Sequence, residues 1–212
     1  MASLLSLQEI QSMTINLGKK INKIENERKY ETGVSVDVND KKQTLVFWTP
    51  VLQCMRKDEN HLQLLLPQTD DCEEFYNTLV HIDDNVVKSA YEKWNEWFPK
   101  DELSEEDVQE RFVSCIKAGS KDVQGRVMTL KTSSNIKCKI ENSDIVTSEY
   151  SSLFDQKTRR GEGRVLVELR KAVFGRNNFK VDFIAHQILI NEPIVEEKET
   201  EKFNNENWVD FQ

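Results

Sequence analysis

Apolar residues recur at every second position in several stretches and at every third or fourth position in one, so the chain reads as strands arranged around a helical piece. The clearest alternation runs from Gly163 to Ile190. Val165, Val167 and Leu169 alternate with Leu166, Glu168 and Arg170; beyond Gly175, Asn177 and Asn178, Phe179, Val181 and Phe183 alternate with Lys180 and Asp182. This predicts a β-hairpin, with glycine and asparagine at the turn because they tolerate the positive φ of tight hairpin loops. The outward half gathers Arg164, Glu168 and Arg170 on the first strand and Lys180 with Asp182 on the second. Such a face is either simply solvated or a track for a phosphate backbone.

Upstream, Ser12 to Leu17 reads as a short strand ending at Gly18, with a helix over Leu4 to Met13 as the competing reading. Gly33 to Val38 and Thr44 to Met55 form a second predicted hairpin, turned by Asn39 and Asp40. Pro50 within its second strand predicts an edge or a bulge, and Trp48 beside that break is either core or a stacking platform. Leu62 to Leu66 is a short strand closed by Pro67. From Cys72 the period changes: Phe75, Leu79, Ile82, Val86, Ala90, Trp94 and Trp97 lie on one helix face, which Pro99 ends. Ser104 and Asp107 resemble a capping box opening a second helix through Phe112 and Ile116. Strands resume over Arg126 to Thr132 and Asn135 to Glu141, with Lys137 and Lys139 projecting from one face. A loop carrying Lys157, Arg159 and Arg160 leads into the main hairpin, as a phosphate clamp or as a merely soluble link.

This order predicts a mainly β chain with a helical insertion (α+β), an OB-like antiparallel β-barrel elaborated by two helices between strands. Residues 1–192 form the expected single domain, with the insertion at about 72–117, and 193–212 an acidic tail expected to be mobile.

Of the 212 residues, 38% are hydrophobic and 31% charged. No apolar run reaches the roughly 18 to 20 residues of a spanning helix, and the first residues lack the pattern of a secretory leader. The expectation is a soluble protein in a reducing intracellular compartment, without a membrane partner. Cys54, Cys72, Cys115 and Cys138 are isolated, which suits small buried hydrophobes better than a disulfide framework or a zinc knuckle. A net charge of −8 would disfavour a polyanion if it were spread evenly, but from Lys117 to Lys180 there are 14 Lys and Arg against 7 Asp and Glu, and from Pro67 to Glu110 3 against 14. Segregation of this kind gives one surface a field opposite to the total. There is no phosphate-cradling loop, nucleophile elbow or zinc-protease motif, and His61, His81 and His186 are scattered. The chain is expected to be non-enzymatic, with no cofactor and no metal.

Three stretches resemble a family encoded by nucleocytoplasmic large DNA viruses: Gly33 to Met55 with its valine alternation and Phe47-Trp48-Thr49-Pro50; Tyr91 to Phe98 followed by Leu103 to Glu106; and the hairpin with Val167 to Leu169, Phe174-Gly175 and Phe179. Val173-Phe174 stands where the family commonly has an aromatic pair, and Lys180 where glycine is common. The family is similar in layout to viral and phage single-stranded DNA-binding proteins. The resemblance implies a protein that coats single-stranded template DNA during viral replication, recombination or repair, in the host cytoplasm or nucleus, with slight sequence preference. Lys131, Lys137, Lys139, Arg159, Arg160, Arg164, Arg170, Arg176 and Lys180 are the cations expected on the phosphates, and Trp48 and Phe174 the rings expected under the bases. The end of the chain, acidic and then carrying Trp208 and Phe211, resembles tails that compete with DNA and recruit replication proteins; a tail packed on the barrel is the alternative. A β-rich protein-interaction or virion-structural module is the second functional reading. Monomer and homodimer are both open.

Overall fold

A computed structural model of the chain describes residues 2–119, 125–140, 146–147 and 160–192. Among these, no helix is long and apolar enough to cross a membrane. The elements, in order, are β1 (Ala2–Leu4), α1 (Leu7–Gln11), β2 (Ile15–Leu17), β3 (Asn22–Lys23), β4 (Tyr30–Val38), β5 (Lys41–Trp48), β6 (Leu52–Arg56), β7 (His61–Leu66), α2 (Asp70–Trp97), α3 (Glu105–Arg111), β8 (Ile116–Ala118), β9 (Arg126–Ile140), β10 (Val146–Thr147), β11 (Arg160–Phe174) and β12 (Phe179–Glu192). Helix and strand both find a place near the start, as α1 and β2.

Five strands close on themselves. β6 pairs with β7, β7 with β9, β9 with β12, β12 with β11, and β11 returns to β6 through Arg160↔Met55 to Gly163↔Leu52. The contacts are antiparallel except for β9 beside β12. This is the expected OB-like barrel, with β4 and β5 laid along the free side of β11.

The local reasons are legible in the residues. Asn39 and Asp40 take φ of 50° and 60°, the paired positive values that match a two-residue turn to strand twist. Pro50 splits the predicted long strand into β5 and β6. Thr49 spans the break: its N–H donates to the Val165 carbonyl at 2.9 Å, and its hydroxyl accepts from the Val165 N–H at 3.0 Å. The two strands expected around residues 126 to 141 are one, β9. At the main hairpin, Gly175, Asn177 and Asn178 do not have positive φ. The turn closes instead by the Gly175 N–H donating to the Asn178 carbonyl at 2.7 Å. A Cβ at Gly175 would stand 3.2 Å from Asn178 Oδ1 and 3.3 Å from the Asn178 carbonyl oxygen, tight contacts that a side chain could take only if Asn178 gave way by a few tenths of an ångström.

α2 lays Phe75, Leu79, Ile82, Val86, Ala90 and Trp94 on the inward side chains of the sheet, all buried. Phe98, the residue before Pro99, leaves the helical region at φ −130°, ψ 66°, as a following proline requires. The Ser104–Asp107 capping box forms, but α3 stops at Arg111. Phe112 turns extended to bridge Phe179, with ring centroids 5.2 Å apart, and Ile116 pairs with Met128 in β8.

Phe174 corrects an expectation. It is 1% exposed, stacked on Phe179 at 4.9 Å and flanked by Trp94 and Phe98 at 6.0 Å. The alternation of β11 slips by one residue between Leu169 and Lys171, which turns Ala172 and Phe174 inward. Phe174 is therefore core, and no base can reach it. Cys54, Cys72 and Cys138 are buried thiols, and Cys115 is half-buried and free.

Candidate nucleic-acid interface

Directly paired residues on neighbouring strands share a sheet face, so register alone builds the outer surface of the barrel. Trp48 pairs with Leu166, Leu166 with Gln187, and Gln187 with Lys137. These four side chains cross β5, β11, β12 and β9 in one row, roughly 14 Å long at the usual strand spacing. On one side lies Arg164, Leu189 and Lys139; on the other lies Val46, Glu168, Ile184, Lys131 and His61. The surface has half-buried Trp48, Leu166 and Leu189 on its floor, with exposed cations on β9 and at Arg164.

Each group is held by its neighbours. Trp48 stands between Phe47, fully buried in the core, and the Thr49 bridge to β11, so its ring is fixed on the outer face. Lys137, Lys139 and Arg164 make no ion pair with any described residue and keep their charge for an incoming anion. Lys131 does not: its Nζ donates to Asp182 Oδ2 at 2.6 Å, and Asp182 is 4% exposed. The one carboxylate in the middle of these rows, Glu168, is hydrogen-bonded to the His186 ring. A register shift between Ala185 and Gln187 makes His186 an extra residue on β12 and lets its ring reach across.

Lys180 stands beside Asp182 in a groove of about 230 Å³ that also holds Lys57, His61, Lys117 and Lys131. Arg170 is the extra residue at the β11 slip, exposed next to Lys171, whose own charge is paired with Glu31. Arg176 is at the hairpin tip with Arg28, away from the rows. Arg160 opens β11, its backbone paired with Met55. Arg159, Trp208 and Phe211 lie outside the described residues, as does the acidic tail. The structure thus brings together Trp48, Lys131, Lys137, Lys139 and Arg164, with Lys180 adjoining.

The face also contains residues that charge counting passes over: Leu166, Gln187, Leu189 and the Glu168–His186 pair. Leu166 carried a signal, since an apolar residue stands there in the outward half of an otherwise polar alternation. Lys57 follows β6 and Lys117 lies on β8, and they are joined to the face only by the closed barrel.

Beneath the groove around Lys180, which Ser114 helps to line, Ser114 Oγ donates to Asp83 Oδ2 at 2.5 Å, and Asp83 Oδ1 has no partner among the described residues. Burial pushes the Asp83 carboxyl up to about 7, against the Ser114 hydrogen bond and with Asp84 adding to the rise. His81 is engaged elsewhere, with the Met13 carbonyl at 2.9 Å from Nε2. Among the described residues no group of three His, Cys, Asp or Glu side chains is placed to hold a metal ion.

No family model matches the chain, and no curated protein matches it. The large-virus family is therefore a resemblance of short motifs. Solved structures that it is similar to include a single-stranded DNA-binding protein from bacteriophage Enc34, with TM-score 0.44, 12% identity, and 84% of this chain and 95% of that chain covered. The same phage protein in complex with single-stranded DNA gives 0.43 and 10%, covering 84% and 100%, and its C-terminal truncation 0.45 and 10%, covering 82% and 96%. At this distance the functional reading rests on the face itself.

Proposed function

We propose that this protein binds single-stranded DNA along the outer face of its barrel, without catalysis and with slight sequence preference. The observation that carries the reading is the paired register that sets Trp48, Lys137, Lys139 and Arg164 on one surface. Phosphates lie on the cations, which have no carboxylate partner among the described residues, and an unpaired base stacks on Trp48 with the flanks of Leu166 and Leu189 beside it. A duplex hides its base faces in its own stack and has nothing to offer Trp48. Gln187 is the main uncharged hydrogen-bonding group on the floor, so little base-edge reading is available. By its motifs, the protein serves viral DNA replication, recombination or repair by coating exposed template strands.

The test is filter binding of a labelled oligonucleotide against single- and double-stranded competitors at two salt concentrations. Single strands should displace the probe and duplex should not. The log of affinity should fall by about 0.7 per phosphate contact for each log unit of salt. Equal competition by duplex, or affinity indifferent to salt, overturns the reading and favours a protein-interaction module.

A further inference from the structure

Beyond the sheet face, at the tip of the β11–β12 hairpin, lies a cavity of about 420 Å³ walled by Tyr30, Trp94 and Phe98, with Arg28, Arg111 and Arg176 around it. Its size falls within the roughly 300 to 1,000 Å³ of small-ligand sites. Tyr30 is 37% exposed, one of few large hydrophobic side chains so open, and meets Phe98 edge-on with centroids 5.8 Å apart. The Arg111 guanidinium lies 5.6 Å from the centre of the Trp94 ring and is held there by Asp101 at 2.7 Å. Arg28 and Arg176 are exposed and form no ion pair with any described residue. An aromatic wall beside two uncompensated guanidiniums suits a ligand that is flat and apolar on one part and anionic on the next.

The cavity lies beside a groove that borders the proposed DNA face. Gly175 and Asn178 border both it and a neighbouring groove of about 260 Å³ that contains Lys29, Lys131, Lys171 and Lys180. Lys131 also belongs to the outer rows. Lys29, Lys131 and Lys171 are ion-paired with Glu27, Asp182 and Glu31, so exposed Lys180 is the cation in this groove that has no ion-pair partner among the described residues, between the sheet and the hairpin tip.

We propose that this cavity is a second nucleotide site, receiving one unpaired nucleotide from the strand that leaves the sheet, its base against Tyr30 and its phosphate on Arg28 and Arg176. The assignment rests on the single-stranded DNA reading. A nucleotide meets both halves of the cavity's chemistry in one unit and arrives already tethered to the phosphates on the sheet.

The test is fluorescence anisotropy with oligothymidylates spanning roughly 4 to 16 nucleotides, the range of OB-fold site sizes. Wild-type affinity should rise in a final step once the strand is long enough to reach the cavity. Tyr30→Ala and, separately, Arg176→Ala should remove that step. Tyr30→Ala should weaken the long oligonucleotides by about 5- to 150-fold, the usual value of one stacked base, and leave the short ones unchanged. Tyr30→Phe should retain the step, which separates lost stacking from lost folding. Lys137→Ala with Lys139→Ala should weaken every length. If the two cavity variants keep the wild-type length profile while the lysine variant weakens all lengths, the sheet reading stands and the cavity proposal is overturned in favour of a protein ligand there. Uniform weakening by Tyr30→Ala at every length also overturns it. If wild type binds no oligonucleotide, both readings fall.

Discussion

Asp83 is held by Ser114, which lines the groove around Lys180, and the sign of its effect on stability follows from burial. An ordinary aspartate ionises near 3.8, whereas this one keeps its proton to about 7 because burial disfavours the anion. Between those values the unfolded chain releases a proton that the folded chain retains. The Asp83 contribution to stability is thus fully present below pH 3.8 and lost as pH rises towards 7, on the order of 4 kcal/mol across the interval at 1.36 kcal/mol per pH unit. Asp83→Asn cannot ionise. In urea unfolding from pH 4 to 8, wild type should lose stability relative to the variant; parallel pH profiles would contradict the assignment. A second pair of residues separates binding from folding. Trp48→Ala should weaken oligonucleotide binding about 5- to 150-fold with little change in melting temperature. Phe174→Ala, which empties a ring from the cluster with Phe179 and Trp94, should lower stability by about 3 to 5 kcal/mol, read by chemical denaturation.

The β11–β12 hairpin shows what alternation can tell and where it stops. Val165, Val167 and Leu169 are inward and Arg164, Leu166 and Glu168 outward, as the period requires. The helix face from Phe75 to Trp94 and the Ser104 cap were equally plain. The irregularities were not. A one-residue slip near Arg170 reverses the inside–outside assignment of everything after it, and neither Arg170 nor Lys171 departs from an ordinary strand residue. The end of α3 was hidden because Phe112 fits the helical period yet gains more by packing on Phe179. The row from Trp48 to Lys137 was beyond reach for another reason: it depends on which strands become neighbours, and residues 48 and 166 are related only through the closed barrel. Gly163 is the clearest packing constraint in the hairpin. A Cβ there would sit 2.2 Å from the Leu189 carbonyl oxygen, so the two strands approach too closely for any side chain. Gly163→Ala should cost about 1 to 3 kcal/mol through this overlap, measured by denaturant unfolding, whereas an unchanged midpoint would mean that the strands part without penalty.

Charge is divided across the molecule. α2 carries many carboxylates against Lys88 and Lys93, while β9 and β11 present Lys137, Lys139 and Arg164 without an ion-pair partner among the described residues. The net charge of −8 therefore repels a polyanion from most directions and admits it from one. Removing Lys137 and Lys139 together should lower the slope of log affinity against log salt by about 1.4, twice the single-strand value per contact, in a salt titration of oligonucleotide binding. An unaltered slope would place the phosphates elsewhere. The closure of the barrel has a consequence of its own. β6 meets β11 over four residue pairs, two of them at Gly161 and Gly163, whereas β11 and β12 remain paired along nearly their whole length. The β6–β7 pairing is equally short but is tied by its hairpin turn, so the β6–β11 join, whose strands are far apart in the chain, should open more readily than it. The rows proposed to bind DNA cross β5, β11, β12 and β9 and do not span that join. Bound DNA should accordingly slow deuterium uptake at amides of β12 and β9 while those of Gln53 and Cys54 exchange as fast as before, so the barrel can gape on one side while it grips on the other.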